Sequence, residues 1–319
     1  MRVTQRKPIL CVGIAPCLQR ALTFEALEMG EVNRSAAVRL GASGKATNAA
    51  RVLRALGEPC RLLSLVGGGT GRLFTTFVEE EGLPHTAVSC DASVRICETL
   101  IEQGPGRVTE LVEEMAPPSA DDWARLEGAV EEHARDSDWV LFPGTLPPNA
   151  DMTSFRRLLD AAKRGGAQVI LDTSGDALLA GLAAGPRGVK LNRQELERTL
   201  GLELPDEVRA EPALRRLTEE GLGWVGVTCG GKPAWWCDGE AALAFELPAV
   251  GVVSPIGSGD SVLAGLAAGL NRGMRAADAY RLGLACGCAN AETAWPGELE
   301  PDSVERWRNK IVARPMHGP

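Results

Sequence analysis

The chain has 319 residues, 45% of them hydrophobic and 24% charged, which is the balance of a globular protein and excludes a fibrous or disordered one. Its 42 acidic against 34 basic side chains leave a net charge of -8, which argues against a surface built to neutralise nucleic-acid phosphates. There is no run of about eighteen apolar residues, and Met1 to Pro8 lead straight into a strand-like segment without a signal-peptide core, so a cytoplasmic chain with no membrane span is expected.

In chain order, short continuous apolar runs occur at 9–14, 62–66, 139–142, 168–171, 188–191 and 224–228. Continuous rather than alternating apolar character suits parallel strands covered on both faces. Helix-period segments fall at 47–56, 121–135, 155–164, 193–200, 210–220 and 261–270, and this alternation predicts a doubly wound α/β domain with a mostly parallel sheet and helices on both faces. Two stretches break the rhythm. Residues 32–40 and 94–114 carry β-branched residues and charges with one Gly104-Pro105-Gly106 turn, and predict strands of a small separate sheet. Residues 1–319 are thus read as a single domain, with lid inserts at approximately 15–40 and 92–114.

Nine cysteines, among them Cys11, Cys17, Cys60 and Cys97 in apolar stretches, form no C-x-x-C pair and are expected as buried reduced thiols. Cys286 and Cys288, two apart, would not share a helix face. Of the three histidines, His85 and His133 follow loop-like or charged stretches and His317 lies in the tail, so acid/base chemistry is sought among carboxylates and lysines.

The most informative segment is Val253-Ser-Pro-Ile-Gly-Ser-Gly-Asp260, which opens an apolar helix. A glycine-containing turn there points backbone N–H groups and the positive end of the helix dipole at one spot. The amides of Gly257, Ser258 and Gly259 would form an anion hole, and Asp260 beside them would take a proton from a hydroxyl nucleophile. The competing reading is that Asp260 only caps the helix. A second segment, Gly41-Ala-Ser-Gly-Lys-Ala-Thr-Asn48, again places small residues before a cation. It is not a Walker P-loop, because the first glycine would fall at Arg39 and the hydroxyl position is Ala46. Gly67-Gly-Gly-Thr-Gly-Arg72 likewise fails G-x-G-x-x-G at Arg72. Asn192-Arg-Gln-Glu195, taken alone, has the pattern of a capping box.

The order of a Lys45/Asn48 segment, Asn192-Arg-Gln-Glu195 and the Asp260 turn resembles the ribokinase-like, PfkB-type carbohydrate kinases over nearly the whole chain. The resemblance is strongest to the 1-phosphofructokinase and tagatose-6-phosphate kinase branch, through Gly30-Glu-Val-Asn-Arg34, Val94-Arg-Ile96, Thr109-Glu-Leu111, Pro143-Gly-Thr-Leu-Pro-Pro148 and Leu171-Asp-Thr-Ser-Gly175. It implies a ribokinase-like fold, ATP with Mg2+, and transfer of the γ-phosphoryl group to a hydroxyl of a sugar phosphate such as fructose 1-phosphate, fructose 6-phosphate or tagatose 6-phosphate. By the same resemblance Gln19, Gly44, Lys45, Asn48 and Arg95 would face the acceptor. Asn192, Glu195, Thr228, Gly230 and Asn290 would face the nucleotide, with Glu195 organising Mg2+ indirectly. The small sheet would close as a lid, which in relatives often also forms a homodimer contact.

The chain departs from that branch in places. Ala15-Pro-Cys-Leu-Gln19 stands where Asn-Pro-Ala-x-Asp is usual, and Ser43-Gly-Lys-Ala46 replaces Gly-Gly-Lys-Gly. Pro255 replaces a threonine, and Gly230-Gly-Lys232 is a shortened nucleotide-side loop. These departures keep two alternatives open: a kinase for an unphosphorylated sugar or nucleoside, and a non-catalytic sugar-phosphate or nucleotide sensor.

Overall fold

The computed structural model describes residues 6–316, so His317 lies outside the described residues. The strands along the chain are β1 (Ile9–Gly13), β2 (Cys17–Phe24), β3 (Ala37–Ser43), β4 (Cys60–Val66), β5 (His85–Ser89), β6 (Arg95–Glu102), β7 (Arg107–Val112), β8 (Trp139–Pro143), β9 (Gln168–Asp172), β10 (Gly188–Asn192), β11 (Val225–Cys229), β12 (Lys232–Cys237), β13 (Ala242–Glu246) and β14 (Val312–Pro315). The helices are α1 (Lys45–Ala55), α2 (Gly68–Glu80), α3 (Ala120–Ala134), α4 (Met152–Arg164), α5 (Gly175–Ala183), α6 (Arg193–Leu200), α7 (Glu207–Glu219), α8 (Ser258–Asn271), α9 (Ala276–Ala291) and α10 (Pro301–Arg308).

Ten strands form the main sheet in the order β14-β13-β12-β11-β10-β9-β8-β1-β4-β5. Every pair from β11 to β5 is parallel, while β11 to β14 run antiparallel as a meander. Parallel neighbours require crossover connections, and the helices supply them on both faces. The apolar runs are continuous for that reason: in β1, Ile9 and Cys11 enter one core while Leu10 and Val12 enter the other. Leu126, Leu158 and Leu214 bring α3, α4 and α7 to the first layer. Val52, Phe74, Leu263 and Leu284 bring α1, α2, α8 and α9 to the second.

A separate four-stranded sheet has the order β3-β2-β6-β7, with β2 and β6 parallel and the outer pairs antiparallel. The strand expected at 32–40 begins later, at Ala37, and reaches Ser43. At its front, Asn33 closes a polar turn: its side chain accepts from the Glu28 N–H and donates to the Glu28 carbonyl, both at 2.9 Å, which ties the residues before β3 back on residue 28. The Gly104-Pro105-Gly106 turn does join two strands, β6 and β7. All nine cysteines are unpaired, and eight are buried. Among the described residues no helix is long and apolar enough to cross a membrane.

Candidate active site

The C-terminal ends of β9, β10 and β11, the starts of α1 and α8, and the inner face of the small sheet surround one cavity of about 840 Å³. The start of α8 depends on Gly257, whose φ of 82° lies in the left-handed region. A Cβ at that position would stand 2.8 Å from Pro296 Cα, so glycine alone lets the chain turn so tightly into the helix. Asp260 lies in the first turn of α8 and is not its cap, since no side chain caps this helix. Its Oδ2 instead accepts from Asn48 Nδ2 at 2.8 Å. Burial pushes the Asp260 carboxyl up from 3.8 to about 6, against the lowering influence of Lys45, the Asn48 hydrogen bond and Lys190.

The three amides expected to form an anion hole differ in their bonding. The Ser258 N–H is spent on the Pro255 carbonyl at 3.2 Å. The N–H groups of Gly257 and Gly259 have no acceptor among the described residues and stand at the positive end of the helix. Asn290, expected at the nucleotide, is fully buried and does not line the cavity. Its amide donates to the Ile256 carbonyl (2.9 Å) and Ser258 Oγ (3.2 Å), and accepts from the Gly297 N–H (2.7 Å). It therefore braces the turn from behind, because every polar atom it has is used inside the protein.

Gly44 caps α1 with a φ of 105°, where a Cβ would meet Pro16 Cα at 3.1 Å. The turn places Lys45 and Asn48 on the cavity wall. Lys45 Nζ stands 3.8 Å from Glu195 Oε1, and the carboxylates of Asp172, Asp260 and Glu195 hold the ammonium well above its ordinary value despite desolvation. Arg95 opens β6 opposite Cys17, is half-buried and lines the cavity. Its guanidinium donates to the carbonyls of Glu113 (3.1 Å) and Ala15 (3.4 Å), leaving a buried Nε without a partner. Gln19 also lines the cavity, and its Nε2 donates to Thr99 Oγ1 at 2.6 Å.

On the opposite wall Asn192 and Glu195 form a complete capping box at the start of α6, with reciprocal side-chain to backbone bonds of 2.9 and 2.8 Å. The structural reading of this pair holds, and both residues also line the cavity, with Glu195 keeping Oε1 toward Lys45. Thr228 and Gly230 lie beside them, with Thr228 Oγ1 3.5 Å from the Leu191 carbonyl. Leu247, Val250, Val252, Val262 and Leu284 contribute apolar surface to the same cavity.

Two residues missed by the sequence reading are central. Lys190 Nζ donates to Asp172 Oδ2 at 3.0 Å, both side chains are almost wholly buried, and Asp172 Oδ1 has no hydrogen-bond partner among the described residues. The signal was present in 188–191, where a lysine interrupts an apolar strand without a neighbouring charge in sequence. Lys190 Nζ also stands 3.1 Å from where a Cβ on Gly259 would be, so this ammonium faces the turn that opens α8.

A ten-stranded doubly wound sheet with a small four-stranded sheet beside it and a charged cavity at the parallel strand ends defines a ribokinase-like α/β protein. Phosphofructokinase-2 from Escherichia coli superposes with a TM-score of 0.89 at 24% identity, covering 96% of this chain and 99% of that one. Arabidopsis thaliana ribokinase superposes with a TM-score of 0.74 at 19% identity, over 95% and 99% of the two chains. A 1-phosphofructokinase of Rhodobacter capsulatus is 32% identical over 278 residues, 87% of this chain and 88% of that protein. The model of the pfkB family carbohydrate kinases matches residues 6–301. The chain belongs to that family and is a carbohydrate kinase.

Proposed function

We propose that the chain transfers the γ-phosphoryl group of ATP to a hydroxyl of a hexose phosphate, of the fructose 1-phosphate, fructose 6-phosphate or tagatose 6-phosphate type. The observation that carries this reading is the position of Asp260 at the N-terminus of α8, in one cavity with Lys45, Arg95 and Lys190. The lining suits Mg-ATP: apolar side chains against which a flat heterocycle could lie, open glycines at 230–231, and the Lys190 ammonium beside the Gly259 turn. ATP with Mg2+ supplies the transferable phosphoryl group and part of the charge neutralisation.

The chain's own residues do the rest. Asp260 accepts the proton of the acceptor hydroxyl, and its raised pKa suits a base working near neutral pH. The Gly257 and Gly259 amides and Lys190 stabilise charge on the transferring group, while Asn192 and Glu195 stand where Mg2+ and the phosphates would be organised. Lys45 and Arg95 hold the acceptor's own phosphate, whose two negative charges call for more than one cation. The β2 and β6 strands cover the acceptor and exclude water, which otherwise competes for the phosphoryl group.

The test is ADP release from Mg-ATP across these three sugar phosphates, the free sugars and nucleosides, with Asp260→Ala as control. Turnover of a phosphorylated ketose that vanishes in the variant supports the reading. Greater turnover of a free sugar or nucleoside overturns the acceptor class, and ligand binding without ADP release overturns the catalytic one.

A further inference from the structure

Arg51 lies in α1, one turn beyond Asn48, and is 5% exposed. All five of its N–H groups are engaged. Nε and Nη2 donate to the two carboxylate oxygens of Glu81 at 2.8 Å each, Nη1 donates to the Pro296 carbonyl at 2.6 Å, and Nη2 donates to the Ala42 carbonyl at 2.8 Å. The remaining bond runs from Nη1 to Asn48 Oδ1 at 3.2 Å. Ser43 Oγ donates to the same amide oxygen at 3.0 Å.

These contacts decide which way the Asn48 amide points. A guanidinium can only donate, so the amide atom facing it must be the oxygen. An ionised carboxylate can only accept, so the amide atom facing Asp260 must be the NH2, which donates to Oδ2 at 2.8 Å. Donation therefore runs one way from Arg51 through Asn48 to Asp260, while the Glu81 carboxylate accepts from the other side of the guanidinium and fixes it. A proton on Asp260 Oδ2 would set donor against donor, and rotating the amide would set its oxygen against the carboxylate and its NH2 against Arg51.

We propose that Arg51 is a positioning residue for the base: acting through Asn48, with Ser43 as second donor, it holds Asp260 Oδ2 in the ionised form and leaves Oδ1 to take the acceptor proton. This rests on the phosphoryl-transfer reading above. The other charged groups facing Asp260 are Lys45 from α1, Lys190 from β10 and Asp172 from β9, and none of them orients Asn48. Two of the Arg51 anchors, Glu81 and Pro296, lie outside the cavity, so the device is supported from behind the site.

The experiment is the pH dependence of acceptor kcat/KM in the wild type, Arg51→Lys and Ser43→Ala, with a difference infrared titration of the protonated Asp260 carboxyl, defined as the band absent from Asp260→Asn. Lysine keeps the charge but not the fork, so a purely electrostatic role would be rescued and a positioning role would not. The acidic limb and the infrared midpoint are expected to move up by about one pH unit in Arg51→Lys and by less in Ser43→Ala, with ATP KM unchanged within about twofold. If Arg51→Lys does not fold, Ser43→Ala alone decides. An unmoved limb and midpoint in the folded variants overturn the proposal. If the wild type turns over no acceptor, the phosphoryl-transfer reading fails, and the infrared midpoints still decide whether Arg51 controls Asp260.

Discussion

Lys190 Nζ and Asp172 Oδ2 meet at 3.0 Å between two adjacent parallel strands, Asp172 ending β9 and Lys190 in the middle of β10, with side-chain exposures of 3% and 2%. Neither charge could be held at that depth without the other. Removing one partner leaves a buried charge, so Lys190→Met or Asp172→Asn is expected to cost about 3–5 kcal/mol in urea unfolding. The double variant should recover much of that stability while phosphoryl transfer stays lost. Recovery of both together would mean the pair is structural only.

Asp260 is predicted to cost stability where it contributes activity. Its folded carboxyl keeps its proton to about pH 6, against 3.8 for the unfolded group, so the folded state binds more protons between those values. The stability it contributes is therefore complete below about pH 4 and is lost as pH rises through 6. Asp260→Asn should accordingly unfold later than wild type at pH 8, by up to about 3 kcal/mol, with the difference vanishing near pH 4. Phosphoryl transfer should fall about 10²–10⁴-fold. Denaturant titrations at the two pH values, alongside ADP release, check both.

The turn before α8 can be separated from generic strain by a pair of glycines. Gly257 and Gly273 both have positive φ, but a Cβ would meet Pro296 at 2.8 Å in the first case and open space in the second. Gly273→Ala should lose about 1–2 kcal/mol and keep turnover. Gly257→Ala should lose more than that and most of its turnover, because displacing the turn moves the Gly257 and Gly259 amides. Equal losses in both variants would argue against a role for this geometry.

If Lys45 and Arg95 hold the acceptor's phosphate, removing either should matter only for phosphorylated acceptors. Loss of a charge-assisted contact of about 1.5–3 kcal/mol predicts that Lys45→Met or Arg95→Met raises acceptor KM about 10- to 100-fold. Turnover of the corresponding free sugar, where measurable, should change little. Steady-state kinetics on matched phosphorylated and free sugars decide this, and equal effects on both would remove the phosphate assignment.

The parallel layer could be read from the sequence because its cause is local: strands covered on both faces must be apolar at consecutive positions, as at 9–14 and 168–171. The glycine turns ahead of α1 and α8 were legible for a similar reason, since a tight turn before a helix selects glycine, although both helices begin a few residues earlier, at Lys45 and Ser258, than the expected 47 and 261. The resemblance to PfkB-type kinases, carried by short motifs in a fixed order, agrees with the family the chain belongs to.

Other features depended on groups distant in sequence. Asn48 and Asp260 are 212 residues apart, and only the packing of α1 against α8 brings the amide to the carboxylate. Asn290 reads as a polar residue available to a ligand until folding buries it behind the Ile256–Ser258 turn with all its hydrogen bonds used. Lys190 and Arg51 look like isolated charges in apolar segments, and their partners arrive from β9, from the end of α2 and from the loop at Pro296. Sequence alone picked out six strands of the main sheet, β1, β4, β8, β9, β10 and β11, and the helices α1, α3, α4, α6, α7 and α8, because burial and turn chemistry act over a few neighbours; β5, β12, β13, β14, α2, α5, α9 and α10 were not among the expected segments. The tertiary structure decided the protonation and direction of the site's polar groups, because those depend on burial and on charges brought together from distant parts of the chain.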